Sequence, residues 1–207
     1  MIKAVIFDMD GLIVDTEPLL AKAVIIALKN QNLALTEHEY FEHWTKKGGN
    51  IRQFIQGKYI DFDFNRYRRE KKEIFLSILK ENVPLIRGVR EKIQALRGRY
   101  LLALVSSSEN EFIDSILVST GLKRFFSVVI GSRDVKVEKP APDGFLLAAE
   151  RMNVKPEECV VLEDAEKGIL AAKNANMKAI AIPNRYTMDN DFRKADQILS
   201  SISEFEI

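Results

Sequence analysis

Two aspartates, Asp8 and Asp10, close the apolar run AVIF with one residue between them, and Gly11 follows at once. In an extended chain, residues two apart project to the same side. Both carboxylates would therefore leave the strand tip together, with Met9 on the opposite side. A second acidic pair, Glu163 and Asp164, ends the run CVVLED. Any one of these acids could be an ordinary turn residue or helix cap. Four of them gathered at strand ends are different, because like charges in one cleft repel unless a cation enters or the pKa values rise. Mg²⁺ prefers oxygen ligands, taking one or two carboxylates together with waters and a substrate phosphate. Two further groups could offset a phosphate. Ser106 ends the run LLALVS, where its hydroxyl and the backbone N–H groups from Ser107 onward can cradle oxygens, with Asn110 a turn away. Lys139 stands beside Pro140 and Pro142, a compact charge on a stiffened loop.

These residues need a scaffold that brings distant strand ends together. Five short runs rich in β-branched and aliphatic residues, at 3–8, 100–106, 126–131, 159–164 and 178–183, read as strands buried on both faces. Helix-spaced apolar positions lie between them: Val89, Ile93 and Leu96; Ile113, Ile116 and Leu117; Phe145, Ala149 and Met152; Ile169, Leu170 and Ala172. This alternation predicts an α/β fold, a Rossmann-like parallel sheet with helices on both faces, in which ligands bind at the carboxyl ends of the strands.

Residues 16–82 interrupt the alternation. Thr16 with Pro18, Thr36 with Glu39, Asn50, and the stretch 66–79 each mark a helix, predicting an inserted helical bundle. The expected division is a core of 1–15 and 83–207 and a helical cap of 16–82. His38 and His43 are five apart and do not share a helical face, so cap packing suits them better than a metal. Trp44 with Tyr40 and Phe41 reads as cap core.

A chain of 207 residues can bury such a core and carry an insertion. Lys and Arg number 31 against 30 Asp and Glu, a balance that predicts no general attraction to nucleic acid or to an anionic membrane. No apolar run nears the ~20 residues that span a bilayer. The lone Cys159 permits no internal disulfide, and with no signal-like start the expectation is a soluble, cytoplasmic monomer.

In order along the chain, FDMDG at 7–11, LVSSS at 104–108, Lys139 in EKPAPD and LEDAEKGILAAKNANM at 162–177 resemble the four motifs of the haloacid dehalogenase superfamily of phosphatases and phosphomutases. The insertion sits where the β-phosphoglucomutase-like subgroup places its cap. The resemblance implies Asp8 as nucleophile forming an aspartyl-phosphate, and Asp10 as general acid and then base. It implies Mg²⁺ held by Asp8, the backbone carbonyl of Asp10 and Asp164, with Glu163 as a further ligand or orienting acid. Ser106, Ser107, Asn110 and Lys139 would bind the phosphoryl group. Thr16 and Glu17 fall at the cap entrance. Lys47, Gly48 and Arg52 resemble a sugar-phosphate-reading stretch, with Arg one residue later than in β-phosphoglucomutase. Position 20 is Leu where the mutases carry a histidine, which favours hydrolysis. The expectation is a Mg²⁺-dependent phosphatase for a small phosphorylated metabolite, a sugar phosphate first. A β-phosphoglucomutase-type mutase and a non-catalytic binding protein on the same fold are the alternatives.

Overall fold

The computed structural model describes residues 1–47, 49–56, 61–81 and 83–207, with Lys46 by its backbone alone. Gly48 lies outside the described residues. The chain separates into two compact units, Met1–Asp15 with Val83–Ile207, and Thr16–Asn82.

In the first unit, six strands among the described residues form one parallel sheet: β1 (Ala4–Phe7), β2 (Leu101–Val105), β3 (Val128–Ile130), β4 (Cys159–Glu163), β5 (Lys178–Ala181) and β6 (Gln197–Ile198), in the order β3-β2-β1-β4-β5-β6. The α/β expectation holds. β1 is the point where the chain turns from building one side of the sheet to building the other, the place where open parallel sheets bind ligands. All four β1 residues are fully buried, which explains why its sequence does not alternate. Alternate strand residues, such as Ala4, Ile6, Ala103, Val105, Val161 and Ala179, join one apolar cluster with Phe145, Ala148 and Ala149 of α7 (Asp143–Arg151) and Ile169, Ala171 and Ala172 of α8 (Glu166–Asn174). The intervening set, Val5, Phe7, Leu102, Leu104, Val160 and Leu162, is buried as well, so the opposite face is also covered. The buried residues of α5 (Val89–Leu96) and α6 (Asn110–Ser119) lie outside the first cluster. β6 is too short and polar to have been foreseen.

The second unit contains α1 (Glu17–Lys29), α2 (Glu37–Tyr40) running into a π-helical turn (Phe41–Lys46), α3 (Ile51–Ile55) and α4 (Phe64–Glu81). Thr36 and Glu39 form the expected capping box, and Asn50 forms another with Gln53. Thr16 does not cap α1 with its side chain; its backbone is already helical and the residue is buried. α4 begins ahead of the expected 66 because the Asp63 carboxylate accepts the N–H groups of Asn65 and Arg66. Tyr40 stacks on Trp44 at 5.2 Å, and His43 packs edge-on to Trp44 and Phe54, so this aromatic group is core.

One close approach ties the sheet to a helix. Gly168, in the first turn of α8, lies against the Glu163 side chain, and a Cβ there would stand 1.7 Å from Oε1. Helix propensity favours Ala over Gly by ~1 kcal/mol, but Glu163 is pinned by Lys139 and by the Ala165 N–H and cannot yield freely. Gly168→Ala should therefore destabilise the protein, by roughly 1–3 kcal/mol of overpacking, measured by urea unfolding. A gain in stability would show that Glu163 is free to move.

Candidate active site

Register sets the site. Phe7 of β1 aligns with Leu104 of β2 and with Leu162 of β4. The next residues along each chain, Val105, Asp8 and Glu163, are therefore level at the carboxyl end of the sheet. Lys139, whose peptide to Pro140 is cis, reaches this row from the loop before α7. Its Nζ donates to Asp8 Oδ1 at 2.5 Å, Glu163 Oε1 at 2.8 Å and the Val105 carbonyl at 3.1 Å. An ammonium has three N–H donors, and here all three have partners. The Lys139 side chain is only 6% exposed and also sits 5.0 Å from the centroid of the Phe145 ring.

Asp164 completes an acidic cluster. One carboxylate oxygen from each of Asp8, Glu163 and Asp164 lies within 4.8 Å of the other two, and all three residues are buried. Ligands on opposite sides of a Mg²⁺ ion stand ~4 Å apart. The all-oxygen donor set therefore fits a hard divalent cation in both chemistry and spacing. Against three acids the described residues supply one bonded ammonium, that of Lys139. Burial, followed by the charge of Glu163 and Asp10, pushes Asp8 up to about 7 despite the opposing pull of Lys139. Burial, with Glu163 and Asp8 next, pushes Asp164 up to about 9. Lys139 is raised despite its burial, because Asp8 and Glu163 hold its proton.

Asp10 is placed differently. The turn after β1 closes when the Met9 carbonyl accepts the N–H groups of Ile13 and Val14, with Gly11 at φ +83°. Met9 is buried, and the Asp10 side chain turns to the tip of β2. Its Oδ2 accepts from the Ser106 hydroxyl at 2.9 Å and the Ser108 hydroxyl at 2.8 Å. The Asp10 carboxylate is not among the clustered oxygens. Ser106 Oγ in turn accepts the Ser108 N–H, so the LVSSS segment wraps around Asp10. Ser107 lines a small recess beside Lys139.

Asn110 is not brought to the acids. Its Nδ2 donates to Asp134 Oδ2 at 2.6 Å and its Oδ1 accepts the Arg133 N–H, which fixes the turn after β3. In the helical unit, Glu17 accepts from Thr45 Oγ1 at 2.7 Å and from the Tyr40 hydroxyl. Thr16 is buried, Lys47 is exposed on a turn, and the exposed Arg52 lays its guanidinium over the Phe64 ring at 4.4 Å. Two polar residues at the core site were not singled out from the sequence. Ser108 is the third member of the SSS run. Asn184, just past the tip of β5, donates to Asp164 Oδ2. Being a polar residue at a strand tip was the one signal that pointed to it.

Residues 5–182 match the family described as haloacid dehalogenase-like hydrolase. The chain is similar to the fructose-1-phosphate phosphatase YqaB of Escherichia coli (strain K12), with 37% identity over 86% of this chain and 94% of that protein. It is 35% identical to a phosphorylated carbohydrates phosphatase of Thermotoga maritima over 86% of this chain and 83% of that protein. Among solved structures it resembles CbbY of Rhodobacter sphaeroides in complex with phosphate, with a TM-score of 0.83, 27% identity, and 99% and 96% of the two chains covered.

The raised acids have a stability consequence. Asp8 and Asp164 hold protons in the fold that they release when unfolded, near 3.8. Their contribution is complete below about pH 4 and is lost as pH rises through about 7 and about 9. In chelator, Asp164→Asn should therefore gain stability relative to the unaltered protein as pH goes from 5 to 9. The gain should approach ~1 kcal/mol per pH unit, the scale of one proton. Denaturant melts at each pH check this. Equal slopes for the two proteins would mean that Asp164 stays ionised in the fold.

Proposed function

The chain belongs to the haloacid dehalogenase-like hydrolases, and on that footing we propose that it is a Mg²⁺-dependent phosphatase of small sugar phosphates. It would act through a phosphoryl group carried on Asp8. The observation that carries this reading is the seating of the Lys139 ammonium between Asp8 and Glu163 at the strand tips, beside a third acid. A carboxylate held against a buried cation is oriented for attack, and the charge of the same cation can offset that of an incoming phosphate.

The Asp8 carboxylate attacks phosphorus and the bond from phosphorus to the ester oxygen breaks. Asp10 passes its proton to the departing alcohol oxygen. The hydroxyls of Ser106 and Ser108 fix Oδ2 of Asp10, which directs the exchangeable proton to Oδ1. Asp10, now ionised, takes a proton from water as that water's oxygen attacks the aspartyl-phosphate. Phosphate leaves and both acids return to their starting states. Lys139 offsets charge on the transferring group throughout. Asp8, Asp164 and the backbone carbonyl of Asp10 would hold Mg²⁺, with Glu163 adjoining, and its charge would offset that of the phosphoryl oxygens.

The substrate class rests on the relatives, two of which are named for phosphorylated sugars or carbohydrates. Substrate choice is assigned to the helical unit through Thr16, Glu17, Lys47 and Arg52. Asn110 is left out of the phosphate set, since its amide is used on Asp134 and Arg133.

A panel of sugar phosphates that includes fructose 1-phosphate, scored for released phosphate, tests the reading. Turnover should vanish in chelator and return with Mg²⁺. Asp8→Asn should lower kcat by at least about a thousandfold, the scale on which removal of a nucleophile acts, while the protein stays folded. Unchanged turnover in that variant, or full turnover in chelator, would overturn the mechanism. Isomerisation without release of phosphate would move the chain to the mutases.

A further inference from the structure

Asn184 follows Pro183 at the end of β5, two strands from β1. Its side chain spans a gap in the site. Nδ2 donates to Asp164 Oδ2 at 2.8 Å and to the Gly11 carbonyl at 3.1 Å. One amide group thus joins the acid after β4 to the turn after β1. The other end of Asn184 is tied down. Its Oδ1 accepts the Tyr186 N–H at 2.7 Å, and its own N–H donates to Thr187 Oγ1 at 3.0 Å. With both ends fixed, the side chain cannot turn its amide away without breaking the local turn.

Asp164 and Asn184 both lie close against the turn after β1. Gly11 is at φ +83°, and a Cβ there would lie 2.4 Å from Asp164 Oδ2 and 2.5 Å from Asn184 Nδ2. Asp164, Asn184 and Gly11 are therefore packed as a unit. Asp164 is also the cluster acid without a bond to Lys139 among those described for that ammonium, which are to Asp8, Val105 and Glu163. What Lys139 does for Asp8 and Glu163, Asn184 does for Asp164. A neutral donor orients the carboxyl group without placing beside it a positive charge that would compete with a cation.

We infer that Asn184 is a positioning residue that holds the Asp164 carboxylate in its metal-binding orientation. The inference rests on the proposed reading of Asp164 as a metal ligand. Outer hydrogen-bond partners of ligating carboxylates commonly influence metal affinity ten- to a hundredfold.

The test is titration of the intact protein with Mg²⁺ by isothermal calorimetry, with no substrate present, on four variants. Asn184→Ser keeps a short hydroxyl able to accept the Tyr186 N–H, but it does not reach Asp164. It should bind Mg²⁺ about ten- to a hundredfold more weakly. Asn184→Ala should show the same loss and serves as the second variant should the serine protein not fold. Thr187→Ala loosens the same turn while leaving the amide in place, and should bind like the unaltered protein. Asp164→Asn should not bind measurably. Unchanged affinity in Asn184→Ser, with loss in Asp164→Asn, would overturn the positioning role and leave the metal reading standing. An equal loss in Thr187→Ala would assign the effect to the turn and also overturn it. Undiminished binding in Asp164→Asn would remove the metal reading itself, and the inference with it.

Discussion

The Lys139 ammonium organises the carboxyl end of the sheet. Three adjacent strands finish at the same level because β1 is in register with both neighbours, and each strand presents one acceptor to Lys139. Two acceptors are carboxylates and the third is a backbone carbonyl. An unpaired buried charge is strongly destabilising. Removing any of the partners would therefore disturb the whole row, and Gly168 has to be small because Glu163 is held so firmly within it.

The row is deliberately unbalanced. Three buried acids share one lysine, and burial lifts Asp8 and Asp164 far above the ordinary carboxylate range. A scaffold optimised only for stability would replace such a cluster with apolar residues. Gathering more carboxyl groups than positive partners at the switch point of a parallel sheet is consistent with a site that gains stability from a positive ion. Asp10 stands outside the cluster, among serine hydroxyls. The two aspartates of one short motif thus have different surroundings, one against a buried ammonium and the other among hydroxyls.

Much of this organisation was legible in the residues. The strands were visible because a doubly covered sheet demands unbroken apolar runs, and Asp8, Glu163 and Asp164 were visible as acids at the ends of such runs. The capping box at Thr36 and the helix start at Asn50 follow local rules and carried through to the structure. What escaped depends on side chains meeting across long separations. Asn184 bonds to Gly11 from 173 residues away, and its place just past a strand tip does not reveal that partner. Ser108 was hidden by its neighbours, because three consecutive serines do not reveal which hydroxyls turn toward Asp10. Asn110 stood at a plausible distance along the chain from Ser106, but Asp134 claims its amide, a competitor that only the fold brings near. Thr16 had the composition of a helix cap, yet its backbone is already helical, so its hydroxyl does not cap.

The position of β1 also bears on how the chain is made. It comes before the other five strands in the sequence, yet its flanking partners are residues 101–105 and 159–163. At ~5–20 residues per second, on the order of ten seconds pass before the second partner has been synthesised. Throughout that interval a strand with no polar face has its backbone and side chains unsatisfied on at least one flank. The helical insertion that follows it is the first segment able to reach a self-contained fold, because its contacts are local by comparison. Nascent chains of this architecture therefore carry an unpaired apolar strand ahead of an already compact bundle.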